Sequence, residues 1–411
     1  MTIPGQVISP ALLHRYRKEA KGAVMEKRKA GFIKGMVLGL VLAAAVVAAA
    51  AGIRMHTQNG NSPTDERTQK KIELIQKMIE ENYLEDVDEA AMTEGMLKGL
   101  VSGIGDTYAD YYTAEEYREI INATRGDYRG VGMIMQQDED TKEVLIVGVY
   151  EDTPADRSKI QAGDILVQVE DMICQENDLE VVAAFIKNGE ADQVHMILER
   201  DGEPYEVDVT KEEIQVPVVA GKMLDDQIGY IQIAQFTGLT SDQFAEYYQD
   251  LQSQDMKALI VDLRNNPGGL LDAAVDTLCQ ILPEGLVVYV QTKDGTKTEY
   301  TCDGETPIEI PLVVLVNENS ASASEIFAGA VHDYGVGTLV GTKTYGKGIV
   351  QKTFPFTDGS AVKMTIAYYY TPKGTCIHGE GIEPDVEAEI PEDATEDVQL
   401  LKAQEVLKNQ L

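Results

Sequence analysis

The sequence predicts a multidomain chain of mixed α/β and β-rich class: an apolar N-terminal span, a small helical unit, a compact β-rich module and a larger α/β body. Three observations carry this. Residues 35–53 contain no charge, short alternating apolar runs crowd residues 126–213, and longer apolar runs alternate with amphipathic helices across 214–391. At 411 residues the chain exceeds what one core holds, so two or three domains are expected.

The N-terminal 34 residues are basic from Arg15 onward, with Arg17, Lys18, Lys21, Lys27, Arg28, Lys29 and Lys34. The uncharged run after them approaches the roughly 20 residues of a membrane-crossing helix. Basic flank before and acidic body after predict a single span, N-terminus in the cytoplasm and body outside. A cleaved signal peptide is the competing reading, since Ala48-Ala49-Ala50 resembles a cleavage site. More than thirty residues precede the apolar run, so an uncleaved anchor is expected. Residues 54–66 then read as a polar tether.

Hydrophobic residues make up 44% of the chain and charged ones 25%, a globular balance, and the net charge is −34. A body that acidic repels phosphates, which excludes nucleic acid as a partner. None of Cys174, Cys279, Cys302 and Cys376 has C-x-x-C spacing, so neither a metal nor a redox site is expected. Cys174 and Cys279 read as core residues, and a Cys302–Cys376 disulfide is left open.

Residues 67–125 form the helical unit. Ile72, Leu74, Ile75, Met78 and Ile79 recur on one face, and Met92, Met96, Leu97 and Leu100 on a second helix. Such a unit suits packing or homodimer formation. Tyr108-Ala109-Asp110-Tyr111-Tyr112 follows, and Thr113-Ala114-Glu115-Glu116 has the form of a capped helix start. In residues 126–213, strands are expected at 131–136, 144–149, 165–169 and 194–198, with a helix over 179–187. In residues 214–391, strands at 228–231, 258–263 and 312–316 alternate with helices at 240–252, 270–281 and 323–332, which predicts a sheet layered by helices. A helical tail, 392–411, closes the chain.

Three features of this last body carry chemistry. Ser320-Ala321-Ser322-Ala323-Ser324-Glu325 stands where a helix begins, so free N–H groups and a partial positive charge surround a hydroxyl. Ordinary helix capping is the plainer reading. Lys347 lies between Gly346 and Gly348, with Gln351 four residues on; a desolvated amine there can serve as a base. Asp262-Leu263-Arg264-Asn265-Asn266-Pro267-Gly268-Gly269 ends a strand with bare glycine N–H groups suited to an oxyanion.

Together these runs resemble the C-terminal processing peptidases, or tail-specific proteases, a family of Ser-Lys serine endopeptidases. Asp358-Gly359-Ser360-Ala361, Tyr369-Tyr370-Thr371-Pro372-Lys373-Gly374 and Gly379-Glu380-Gly381-Ile382-Glu383-Pro384-Asp385 extend the likeness, which covers about residues 72–386. The resemblance implies Ser322 as nucleophile, Lys347 as base, Gln351 as its orienting amide, and backbone N–H groups of Gly268 or Gly269 and Ala323 as oxyanion donors. It implies a crotonase-like α/β core, no cofactor or metal, and a bacterial cell membrane location. It also implies a PDZ domain, in which Arg129, Gly130, Val131, Gly132 and Met133 would bind peptide C-termini of substrate proteins. Ile160-Gln161-Ala162-Gly163-Asp164-Ile165-Leu166 matches that module's later turn, whereas Ser158-Lys159 departs from its usual small pair.

Three rivals are weighed, of which acyl-CoA thioester processing, an analogy with other crotonase-like folds, is disfavoured outside the cytoplasm, where CoA is scarce. A Ser-His-Asp triad would need His332 or His378; His332 stands ten residues along the helix from Ser322, too far to reach back, and His378 lies in a Gly-rich loop. His195 reads as structural. An idle PDZ scaffold at the membrane is the alternative outside catalysis.

Overall fold

The computed structural model describes residues 62–189, 191–391 and 394–411. The basic segment 1–34, the expected span 35–53 and most of the tether lie outside these residues. Among the described residues no helix is long and apolar enough to cross a membrane. Two compact units divide the chain after Thr93.

In the first unit, α1 (Glu66–Asn82) starts where the Asp65 carboxylate accepts the Thr68 N–H at 2.6 Å. Its expected apolar face forms, but no residue of the helix is buried, and Leu74 and Met78 are more than half exposed. Helix α2 (Glu89–Ser102) crosses into the second unit.

The second unit begins with β1 (Asp110–Tyr112) and α3 (Ala114–Arg125). Thr113 and Glu116 make the expected capping box, at 2.8 and 3.2 Å. The β-rich module follows: β2 (Asp127–Gly130), β3 (Met133–Gln137), β4 (Val144–Val149), α4 (Pro154–Arg157), β5 (Ile165–Val169), β6 (Met172–Ile173), α5 (Leu179–Asn188), β7 (Gln193–Arg200), β8 (Glu203–Thr210) and β9 (Glu212–Gln215). The antiparallel order is β3-β4-β5-β7-β8, with β2 and β9 as a separate ribbon. Alternate residues Val144, Ile146, Met196 and Leu198 meet Val182 of α5 in the core. The first strand differs from expectation: 127–130 pair with β9, 131–132 turn, and β3 starts at Met133 as a sheet edge. Asp164, fully buried in the Gly-Asp turn, is satisfied by two contacts from Arg200, by Tyr205 Oη and by the Gln161 N–H. Lys159 adopts φ +64°, a left-handed conformation that a glycine takes more easily.

The body comprises β10 (Val219–Met223), β11 (Ile228–Ile233), α6 (Thr240–Ser253), β12 (Ala258–Asp262), α7 (Leu271–Leu278), β13 (Gly285–Thr292), β14 (Lys297–Cys302), β15 (Leu312–Val316), α8 (Ala323–Tyr334), β16 (Thr338–Gly341), β17 (Ile349–Pro355), β18 (Ala361–Tyr370), β19 (Val386–Glu387) and α9 (Val398–Lys408). One sheet runs β10-β11-β12-β15-β16-β19, parallel except at β10. Strands β12 and β15 are buried at every residue, the reason they read as continuous apolar runs. Leu259, Val261 and Val314 pack toward α6–α8; Ala258, Ile260, Val313 and Leu315 pack toward Ala403 and Leu407 of α9. A second, antiparallel sheet, β1-β18-β13-β14 with β17 on β18, completes the layer.

Cys174 is buried, as expected of a core residue. All four cysteines are free, so Cys302 and Cys376 are not bonded. The Cys302 thiol instead meets Pro283 O at 3.3 Å and neighbours Cys279. Cys279 ends α7 only half-buried; burial and the adjacent Cys302 push its thiol up to about 12.

The tail belongs to the body's core. Arg264, leaving β12, grips buried Asp262 and reaches both carboxylate oxygens of Asp397, the N-cap of α9, at 2.8 Å each. Burial alone would raise the Asp397 carboxyl, yet Arg264 holds it below the usual range. Arg264→Ala strips the cation from a buried carboxylate and is expected to cost about 3–5 kcal/mol of unfolding free energy. Urea denaturation reads this, and an unchanged midpoint would remove the network from the account of how α9 is held.

Candidate active site

Strands β12 and β15 are neighbours, and both site loops leave from their C-terminal ends, the edge where open α/β sheets carry their sites. The loops are stitched side by side. Asn265 and Asn317 exchange amide contacts at 2.9 Å, and Ala321 N–H donates to Asn266 O at 3.0 Å. This stitching sorts the serines. Ser320 Oγ donates to Leu263 O (2.8 Å) and Ser324 Oγ to Asn266 O (3.0 Å), both fully buried. Ser322 stands between them at the N-cap of α8, half-buried, and its hydroxyl donates no hydrogen bond among the described residues.

Ser322 takes φ +56°, ψ −114°, a conformation that costs a non-glycine residue about 1–3 kcal/mol. Two buried groups hold it there. Its N–H donates to Glu325 Oε2 at 2.9 Å, and its carbonyl accepts from Tyr369 Oη at 2.9 Å. The same two groups hold the lysine loop. Glu325 Oε2 also accepts Lys347 N–H (2.8 Å), while Oε1 accepts Gly346 N–H (2.7 Å) and Thr344 Oγ1 (2.6 Å). Tyr369 Oη shares its proton with Lys347 O at 2.6 Å. One carboxylate and one phenol, both almost wholly buried, therefore fix the backbones at Ser322 and Lys347 together.

The Lys347 amine is half-buried, and burial, followed by the charge of Lys363, pulls it below its ordinary pKa. Gly348 lets this loop close on its neighbour, since a Cβ there would lie 2.5 Å from His378 N. Gln351, on β17 opposite Thr365, has a buried Nε2 with no partner. Ser322, Gly269, Ala323 and Gln351 line one cavity of about 160 Å³, whose other walls are Leu270, Leu271, Ile326, Ile349, Val350 and Tyr369.

The two glycines are not equivalent. Gly268 N–H is committed to Asn266 Oδ1 at 2.8 Å, whereas Gly269 and Ala323 N–H groups make no hydrogen bond among the described residues. Gly268 provides closeness instead: a Cβ on it would sit 2.6 Å from Ala321 O and 2.8 Å from Ser322 Cβ. Neither histidine joins Ser322. His332 pairs with Asp385 at 3.3 Å, and His378 packs its ring 5.4 Å from Tyr368. His195 lies on the module's outer face against Asp208. Among the described residues no group of His, Cys, Asp and Glu is disposed to hold a metal ion.

In the β-rich module, Arg129 and Gly130 sit in β2 opposite Glu213 and Glu212, and the Arg129 guanidinium meets Asp192 at 2.6 Å. Val131 and Gly132 form the turn into Met133, with Val131 O accepting from Ala155 N–H. Ile134 on β3 and Val181 and Phe185 on α5 remain exposed beside the open edge of β3.

Known families match along this frame. Residues 227–388 match peptidase family S41, residues 145–200 the PDZ domain, and residues 34–116 the N-terminal domain of the activating protease CtpB. A CtpA-like serine protease of Staphylococcus aureus (strain COL) is 32% identical over 361 residues, spanning 87% of this chain and 72% of that protein. The chain belongs to peptidase family S41. A CtpA-like serine protease of Staphylococcus epidermidis (strain ATCC 12228 / FDA PCI 1200) is 31% identical over 360 residues, spanning 87% of this chain and 73% of that protein. Among solved structures, the photosystem II D1 C-terminal processing protease is similar at 28% identity and a TM-score of 0.48, over 82% of this chain and 90% of that one. This S41 member is thus a serine endopeptidase of the C-terminal processing family carrying a PDZ domain.

The S41 motifs drew attention to side chains that bear chemistry and passed over those that hold them. Glu325 stands three residues after Ser322, the spacing of a capping box, and that spacing was the available signal. Asn266 and Tyr369 lie within the motif runs, but neither they nor Thr344 signalled which groups they would hold. Glu325→Gln exchanges one acceptor oxygen for an N–H donor facing N–H donors. It is expected to lose about 3 kcal/mol of stability and most of the turnover, measured by urea denaturation and peptide cleavage. Wild-type values on both would show that the carboxylate is not what joins the two loops.

Proposed function

We propose that this chain is a membrane-anchored endopeptidase that cleaves extracytoplasmic proteins near their C-termini, with Ser322 as nucleophile and Lys347 as general base. The observation that carries the reading is the sorting of the three serines: only Ser322 keeps an uncommitted hydroxyl. It opens on a cavity, and its backbone is tied to that of Lys347.

Neutral Lys347 takes the Ser322 proton as Oγ attacks the scissile carbonyl. The oxyanion settles on the N–H groups of Gly269 and Ala323, with Gly268 giving the space for that approach. Lys347 then protonates the leaving amine, and water hydrolyses the ester. Gln351 brings an uncommitted amide to steady the lysine. The cavity walls Leu270, Ile326, Ile349 and Val350 suit an apolar side chain beside the cut. The PDZ turn from Arg129 through Gly130, Val131 and Gly132 to Met133 would take the substrate's terminal carboxylate, the peptide adding a strand to the open edge of β3.

Ser322→Ala and Lys347→Ala are each expected to abolish cleavage while leaving the denaturation midpoint in place. In the wild type, kcat/KM should fall as pH drops through the lowered pKa of Lys347, because an ammonium cannot accept the serine proton. Activity surviving Lys347→Ala removes the dyad. Amidating the substrate C-terminus should weaken cleavage; no effect removes the carboxylate-reading role from the PDZ turn.

Residues 35–53 would serve as the uncleaved span that places the body outside a bacterial cell. The exposed Ile72, Ile75 and Met78 of α1 would pair with a second copy. Full-length protein is expected to sediment with membranes and, in detergent, to scatter light as a dimer. A mature N-terminus near Ala51 would overturn the anchor, and a monomer the pairing.

A further inference from the structure

We propose that Tyr108 is a positioning residue for the base: its ring face holds the Lys347 ammonium away from the serine, and turnover requires the amine to leave it. The proposal rests on the Ser322–Lys347 reading and adds a residue from the turn between α2 and β1.

Lys347 Nζ lies 4.5 Å from the centroid of the Tyr108 ring. Among the described residues no hydrogen bond joins it to Ser322, to Gln351 or to a carboxylate, and Gln351 Nε2 is unpartnered. The amine is therefore engaged by the ring and not by its catalytic neighbours. A ring face attracts only the charged form of an amine, so this seat favours the form that cannot act as base.

The turn is built to put the ring there. Asp106 Oδ1 accepts Tyr108 N–H at 2.9 Å, and Asp106 Oδ2 accepts Thr365 N–H of β18 at 3.2 Å. Directly afterwards β1 pairs with β18, Asp110 opposite Lys363. Across the top, the Tyr108 hydroxyl meets Tyr345, two residues before the base. Tyr108 also falls inside the stretch matching the CtpB N-terminal domain, so that domain contributes a side chain to the peptidase centre.

Among the described residues the charged and titratable groups around Lys347 are few. Asp106 and Tyr108 face it from the turn, Lys363 and Tyr369 from β18, Glu325 from α8 and Tyr345 from its own loop. Asp106 favours the ammonium and Lys363 opposes it. The Glu325 carboxylate is taken up by backbone donors and Thr344, and Tyr369 bonds the Lys347 carbonyl. The ring of Tyr108 is thus the contact whose removal changes the balance without adding or deleting a charge.

The test compares pH profiles of kcat/KM for full-length wild type, Tyr108→Phe, Tyr108→Leu and Tyr108→Trp. Leucine keeps an apolar cover over the amine but has no π face, so the acid limb should move to lower pH by about one unit, and rates on that limb should rise up to about tenfold. Phenylalanine keeps the face and should superimpose on wild type. Tryptophan, the stronger face, should move the limb to higher pH, and it carries the test if the leucine variant does not fold. A leucine limb that stays put or moves upward overturns the proposal, as does a phenylalanine profile displaced like that of leucine. Failure of the dyad itself reads out separately, as cleavage and fluorophosphonate labelling of Ser322 that persist in Lys347→Ala.

Discussion

A buried carboxylate needs donors for its oxygens, and Glu325 meets that condition with four: the N–H groups of Ser322, Gly346 and Lys347 and the hydroxyl of Thr344. It sits in the first turn of α8, where the helix dipole also favours negative charge. Because its donors come from both the Ser322 turn and the Lys347 loop, neither loop can shift without leaving that carboxylate unpartnered. The strained backbone at Ser322 is affordable for this reason, with Tyr369 bracing the same two carbonyls from β18.

This clamp acts on backbones and leaves the side chains of Ser322, Lys347 and Gln351 outside it. Ser322 Oγ and the Gln351 amide nitrogen are uncommitted, and the Lys347 amine rests on an aromatic face. In the proposed mechanism a fixed frame and a movable amine would separate two tasks, the frame setting where the chemistry takes place and the amine whether it can. Both site loops owe their adjacency to the parallel pairing of β12 with β15, and the wall carrying Gln351 comes from the second, antiparallel sheet.

Much of this was legible in the chain. Strands β12 and β15 are buried on both faces, so they had to be continuous apolar runs. The capping box at Thr113 and the four-fold apolar spacing of α1 are likewise local and needed no tertiary context. The hairpin of β17 and β18 was missed because most of its residues are only half-buried, with no clean alternation, and include polar side chains. A strand was expected from Val131, but the pairing of β2 with β9 depends on residues more than eighty positions away. The pairing of Cys302 stayed open in the sequence for a related reason: spacing along the chain says nothing of which thiols a sheet and a helix end bring side by side.

By itself, the order of residues determined the family, the placement of a hydroxyl at a helix start and the presence of an amine between two glycines, since these depend on local chemistry and motif. The folded arrangement decided which serine keeps its hydroxyl, which glycine keeps its N–H, and which buried carboxylate joins the loops. It also set an aromatic face from the far side of the chain against the lysine. Those outcomes depend on where donors and acceptors from distant segments meet, and a hydrogen bond is spent by whichever partner the fold brings within reach.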